Sequence, residues 1–205
     1  MKTILCYGDS NTWGYDAAGD RRFEWPQRYP GVLSQLLGEA YHVIENGLCG
    51  RTTQYESDIE PFVNGKKGAE FAAEVHAPLD YVVIMLGTND CKDMYYAEPA
   101  DIQSGIEEIG ICFEKKGAKI ILVAPPPMRG LKRSPFYHEF GERAESKSML
   151  LKELYYNLAA QRGWLFLDAD KITVPGDFDH IHLEVDAHRE LAKAVYQIIM
   201  KEESL

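Results

Sequence analysis

The feature that most constrains the fold is the run Tyr81-Val82-Val83-Ile84-Met85-Leu86, which carries no charge and stops abruptly at Gly87-Thr88-Asn89-Asp90. A strand with one wet face alternates polar and apolar residues. A strand apolar at nearly every position is covered on both faces, as in a parallel sheet held between two layers of helices. Ile4-Leu5-Cys6 near the N-terminus reads the same way. So do Ala118 to Ala124, stopped by Pro125-Pro126-Pro127, and Trp164-Leu165-Phe166-Leu167, which ends at Asp168. Tyr41-His42-Val43-Ile44-Glu45 alternates and supplies one more strand.

Helical spacing fills the intervals. Val32, Leu33, Leu36 and Leu37 predict a helix over Tyr29 to Leu37 with Gly38 as its C-cap signal. A second is expected over 66–76. A third runs from Asp101 to Lys116, with Ile102, Ile106, Ile109 and Phe113 on one side and Asp101 as its cap. Residues 142–162 form a long helix closed by Gly163, and Val185 to Met200 the last. Five strands alternating with helices predict an α/β chain: a three-layer α/β/α flavodoxin-like sandwich with a five-stranded parallel sheet. Right-handed crossovers favour strand order 2-1-3-4-5. The 205 residues suit one domain spanning 1–205.

Composition narrows the function classes. A formal net charge of −10 argues against nucleic-acid backbones and anionic membranes as partners, because phosphate binding needs clustered Lys and Arg. No stretch approaches the roughly 18 apolar residues of a membrane span, and the N-terminus lacks the apolar core of a signal peptide. Cys6, Cys49, Cys91 and Cys112 are scattered without metal-ligand or disulfide-framework spacing. A reducing cytoplasm is the expected compartment.

Four polar elements fall just past strand ends, and therefore on one rim of such a sheet: Asp9-Ser10, Gly50, Asn89 and the 177–182 loop. Each has an innocent reading. Ser10 suits a helix N-cap, Gly50 a turn, Asn89-Asp90 an Asx-turn, and His182 a satisfied half-buried imidazole. Together they make the inventory of acyl transfer: a hydroxyl nucleophile, a base titrating near neutrality, a carboxylate to orient it, and uncharged donors for an oxyanion. The spacing leaves two Asp-x-x-His pairs open, Asp177/His180 and Asp179/His182.

Gly8-Asp9-Ser10, Gly50, Gly87-Thr88-Asn89-Asp90 and Asp179-His180-Ile181-His182 resemble, in order, the four sequence blocks of the SGNH (GDSL-type) hydrolases. Gly-Asp-Ser-x-Thr-Trp-Gly and Ile-Met-Leu-Gly-Thr-Asn-Asp look most like the bacterial arylesterase/acyltransferase subgroup. The resemblance implies Ser10 as nucleophile, His182 as base and Asp179 as the orienting acid. The Ser10 and Gly50 N–H groups and the Asn89 side chain would form the oxyanion hole. It implies no metal or organic cofactor, and a small-molecule ester as substrate.

Asn11 stands where many relatives have leucine, and His180 where the family often has glycine. With Trp13 they are candidate pocket residues. The aromatic segments at 13–25 and 136–140 suit either a pocket or a homo-oligomer interface, and relatives often oligomerise. Cys49 and Cys91 read as space-filling or as reactive thiols, and His188 as a surface or packing residue. The leading expectation is a serine esterase for short-acyl esters with transfer to alcohols as a side activity. Its alternatives are a carbohydrate O-acetyl esterase and, from another class, a non-catalytic flavodoxin-like binding module.

Overall fold

The computed structural model describes residues 1–204. The chain opens with β1 (Lys2–Gly8), turns through Asp9 into the one-turn helix α1 (Ser10–Trp13), and forms a small antiparallel hairpin from β2 (Tyr15–Asp16) and β3 (Arg21–Arg22). Then come α2 (Tyr29–Leu37), β4 (Tyr41–Gly47), α3 (Gly65–His76), β5 (Tyr81–Met85), α4 (Pro99–Glu114) and β6 (Lys119–Ala124). The short α5 (Tyr137–Phe140), α6 (Ala144–Arg162), β7 (Leu165–Asp168) and α7 (Val185–Glu203) complete it. The five long strands pair in parallel in the order β4-β1-β5-β6-β7, the expected 2-1-3-4-5.

Strand periodicity explains the two cores. Leu5, Tyr7, Val82 and Ile84 point to the layer of α3, α4 and α6, whereas Ile4, Cys6, Tyr81, Val83 and Met85 point to α2 and α7. Each large aliphatic side chain buried this way contributes about 1.5–3 kcal/mol. The register puts Gly8 beside both Gly47 and Met85, so neighbouring strands end at one level and the loops beyond them share one rim.

Three local details differ from the expectations. Asp101 is not the cap of α4: Pro99, with its φ preset, starts the helix earlier, Glu98 is the N-cap, and Asp101 returns a bond to the Glu98 N–H at 3.0 Å in a capping box. Ser10 does not cap α1. The Asp9 carboxylate takes that role, accepting from the Asn11 N–H at 2.9 Å, which leaves the Ser10 hydroxyl available. The loop from Asn11 to Gln27 contains the α1 turn and the β2–β3 hairpin; Asp16 holds the hairpin turn, accepting from the Gly19 N–H and the Arg21 side chain.

Candidate active site

Ser10 begins α1 directly beyond β1. Glycine is required on both sides of that turn: a Cβ on Gly8 would lie 2.0 Å from Thr12 Oγ1, and one on Gly47 would lie 2.1 Å from the Trp13 backbone nitrogen. Removing either glycine would push α1 off the sheet. The loop 176–182 closes on itself, with the Gly176 N–H donating to the His182 carbonyl at 2.8 Å and the His180 N–H to the Gly176 carbonyl at 3.0 Å.

Here residues 172 apart in sequence meet: Ser10 Oγ lies 2.8 Å from His182 Nε2. On the other side of the ring, His182 Nδ1 lies 2.5 Å from Asp179 Oδ2. Asp179 Oδ1 accepts from the backbone N–H groups of Ile181 and His182, each at 2.9 Å. Burial works to raise the Asp179 pKa. The hydrogen bond and charge of His182, with the two backbone donors, outweigh it and hold this carboxyl below its ordinary value. An ionised carboxylate fixes Nδ1 as the protonated nitrogen and leaves Nε2 as an acceptor toward Ser10. Asp177 of the overlapping pair is exposed.

Asn89 follows β5, and its Nδ2 donates one hydrogen to the Arg51 carbonyl at 3.1 Å, which orients the amide and keeps its second hydrogen for the cleft. The 50–53 segment is tied down from both ends. Arg51 donates to the Gly8 carbonyl at 2.7 Å and the Asn46 carbonyl at 2.5 Å, with its guanidinium 4.3 Å over the Tyr7 ring. The buried Asp90 accepts from the Thr53 N–H at 2.9 Å and the Thr53 hydroxyl at 2.5 Å. Gly50 has φ +78°, and a Cβ there would come within 2.9 Å of the Glu60 carboxylate. Among the described residues no hydrogen bond occupies the N–H of Ser10 or of Gly50.

Ser10, Gly50, Asn89 and His182 face one cleft of about 220 Å³. Tyr15 of the hairpin and Phe136 line it and hold the His182 ring edge-on from two directions, at centroid distances of 4.7 and 6.1 Å. Lys92 also lines it, buried and paired with Glu139 at 2.9 Å and Glu60 at 3.7 Å. Lys92, Glu60 and Glu139 escaped the sequence reading because nothing local marks them; Tyr15 and Phe136 were legible only as members of aromatic segments.

The other expected pocket residues stand outside this cleft. Trp13 anchors the hairpin, its carbonyl accepting from Arg22 Nε at 2.7 Å while the Arg22 guanidinium covers its ring at 4.7 Å. His180 is buried with φ +62°, the left-handed conformation that explains why glycine suits the position. Asn11 is buried behind Ser10 and bonds to the backbone beside His182. His188 is a packing residue: fully buried, its Nδ1 accepts from the Tyr29 N–H at 3.4 Å, and burial together with Arg28 pushes its pKa down to about 3. Cys91 is fully buried, which raises its thiol pKa; Cys49 is exposed, and partial desolvation together with the Asp9 carboxyl raises its thiol to about 11, so both stay protonated near neutrality.

Among the described residues no cluster of His, Cys, Asp or Glu is arranged to hold a metal ion. No helix among them is long and apolar enough to cross a membrane.

The chain is similar in sequence and fold to known esterases. The M. smegmatis aryl esterase shares 33% identity and superposes with a TM-score of 0.92 over 98% of this chain and 99% of that one. A carbohydrate acetylesterase family member from Sinorhizobium meliloti shares 34% identity, with a TM-score of 0.94 over 100% of both chains. The acetylxylan esterase of Xylanibacter ruminicola is 31% identical over 106 residues, 52% of this chain; the match spans 20% of that longer protein. The model of the GDSL-like lipase/acylhydrolase family matches residues 6–190, and the chain belongs to that family.

Proposed function

We propose that the chain is a serine esterase that hydrolyses small carboxylic esters through an acyl-enzyme intermediate. The observation that carries this reading is the continuous relay from Ser10 Oγ through both nitrogens of His182 to Asp179, opening on a cleft of about 220 Å³. Ser10 Oγ attacks the ester carbonyl as His182 Nε2 takes its proton. The tetrahedral oxyanion receives the Ser10 and Gly50 N–H groups and the second hydrogen of Asn89 Nδ2. Collapse breaks the ester C–O bond, and the departing alkoxide takes the proton from His182. Water then attacks the acyl-serine by the same route and releases the carboxylic acid. An alcohol in place of that water gives acyl transfer, and the aromatic walls formed by Tyr15, Phe136 and Phe140 favour an organic acceptor.

The cleft is small, which suits acetyl and similar acyl groups. Ser10→Ala should abolish hydrolysis of p-nitrophenyl acetate while leaving the thermal melt intact, and a fluorophosphonate probe should label wild type at Ser10 alone. Undiminished turnover by the variant would refute the reading. A second reading, a carbohydrate acetyl esterase, is favoured by the amphipathic cleft, whose lining combines the aromatic rings of Tyr15, Phe136 and Phe140 with the Lys92–Glu60–Glu139 group. Similar solved structures include a carbohydrate acetylesterase family member. Rates on acetylated xylo-oligosaccharide and phenyl acetate, measured side by side, separate the two.

A further inference from the structure

We propose that Asn11 is a positioning residue that sets the separation between nucleophile and base; the inference rests on the serine-esterase reading above. The Asn11 carboxamide bonds to the backbone on both sides of His182. Its Nδ2 donates to the Ile181 carbonyl at 3.3 Å, and its Oδ1 accepts from the Leu183 N–H at 2.8 Å. A primary amide offers a donor and an acceptor side by side, the pattern a neighbouring strand would present. Asn11 thus acts as a two-point bridge between the Ser10 turn and the base loop.

The bridge is anchored at its own end as well. The Asn11 N–H donates to Asp9 Oδ1 at 2.9 Å, and Asn11 is only 3% exposed, so water cannot readily substitute for either bond. Asp179, Tyr15 and Phe136 fix the orientation of the His182 ring. None of those three side chains makes a hydrogen bond to the Ser10 turn, although Tyr15 follows α1 by two residues. Asn11 is the neighbour of Ser10 that joins the turn to the base loop on both sides of His182, and α7 begins two residues beyond Leu183.

Asn11→Leu keeps the number and branching of side-chain heavy atoms, in a bulkier form, and removes both bonds. Asn11→Asp keeps the acceptor for Leu183 and, when ionised, sets a charge against the Ile181 carbonyl. The assay is p-nitrophenyl acetate hydrolysis, with rates expressed per folded molecule from the cooperative melt and the monodisperse gel-filtration peak. An ångström of misplacement can cost about a hundredfold. kcat should therefore fall about ten- to a hundredfold in Asn11→Leu with KM within twofold, and the rate constant for fluorophosphonate labelling of Ser10 should fall in step. Asn11→Asp should be impaired at alkaline pH. Its activity relative to wild type should recover as pH falls, because a protonated carboxyl restores a donor beside an acceptor. Wild-type kcat in Asn11→Leu, a loss confined to KM, or an Asn11→Asp to wild-type ratio that does not change with pH overturns the proposal. If Asn11→Leu does not fold, the Asn11→Asp profile decides alone. Wild-type protein that neither turns over the ester nor takes the label sinks the esterase reading itself, a separate outcome.

Discussion

Replacing Asp179 by asparagine tests the whole relay. The substitution preserves shape, and the local bonding dictates which way the new amide faces. Oδ1 of Asp179 accepts two backbone N–H groups, from Ile181 and His182, at 2.9 Å each. The amide oxygen must keep that place. Turning the NH2 group there would lose two buried hydrogen bonds, each worth about 1 kcal/mol, and set donors against donors. The NH2 group is therefore directed at His182 Nδ1, where the carboxylate oxygen now sits at 2.5 Å. A donor there forces Nδ1 to be the acceptor and moves the ring proton to Nε2. Nε2 then faces Ser10 Oγ at 2.8 Å as a donor, unable to take its proton.

A wrong tautomer in such a relay costs about 10⁴ in kcat, or roughly 5.4 kcal/mol at 1.36 kcal/mol per tenfold. KM should move little, because the contact cleft is unchanged. The assay is steady-state hydrolysis of p-nitrophenyl acetate near neutral pH by Asp179→Asn and by Asp177→Asn, whose side chain is exposed and should be dispensable. The low pKa of Asp179 adds stability that is complete above the ordinary carboxylate range and is lost as pH falls through its folded-state value. A neutral assay is thus clear of its titration. Less than a tenfold loss in Asp179→Asn, or an equal loss in Asp177→Asn, would refute the reasoning.

Two further outcomes follow from the same geometry. Asn89→Ala should lower kcat about 10²–10³-fold with a smaller change in KM, since its free amide hydrogen meets a charge that exists only in the transition state; a change confined to KM on phenyl acetate would contradict that role. Burial raises the Asp90 pKa to about 6, so between the ordinary carboxylate value and about 6 the folded state holds a proton that the unfolded chain has released. Wild type therefore loses stability as pH rises through that window. In urea melts the stability of Asp90→Asn relative to wild type should climb from about pH 4 to about pH 6 and then level off; a flat or falling difference counts against the assignment.

Much of the fold is legible in the residues, because an apolar run reports the burial of its own strand. Tyr81 to Leu86 announces a strand covered on both faces, and each of its side chains from Tyr81 to Met85 lies in one of the two cores. Helix ends were legible where they depend on one residue: Gly38 and Gly163 have φ +67° and +70° at the ends of α2 and α6. The start of α4 was misread because two acidic residues, Glu98 and Asp101, share one capping box, and the position of Pro99 decides which comes first. The hairpin at 15–22 was missed because strands of two residues are too short to show a period.

By itself, then, the sequence determined the layers, the strand order and the rim on which Ser10, Gly50, Asn89 and the 177–182 loop emerge. The layers and the rim follow from periodicity and from turn residues, which are local properties, and the strand order from the right-handedness of parallel crossovers. Spacing left the pairs Asp177/His180 and Asp179/His182 open and the family resemblance pointed to the second; tertiary structure brings Asp179 to 2.5 Å from His182 Nδ1 and leaves Asp177 exposed. It also decided that Tyr15 and Phe136 flank that ring, that Lys92 is buried between two glutamates, and that Asn11 grips the base loop instead of lining the cleft. The physical reason is distance along the chain. A hydrogen bond between residues 172 apart leaves no trace in the spacing around either partner, and only the folding that seats α7 on α2 and ties the loop before it to Asn11 brings the two within reach.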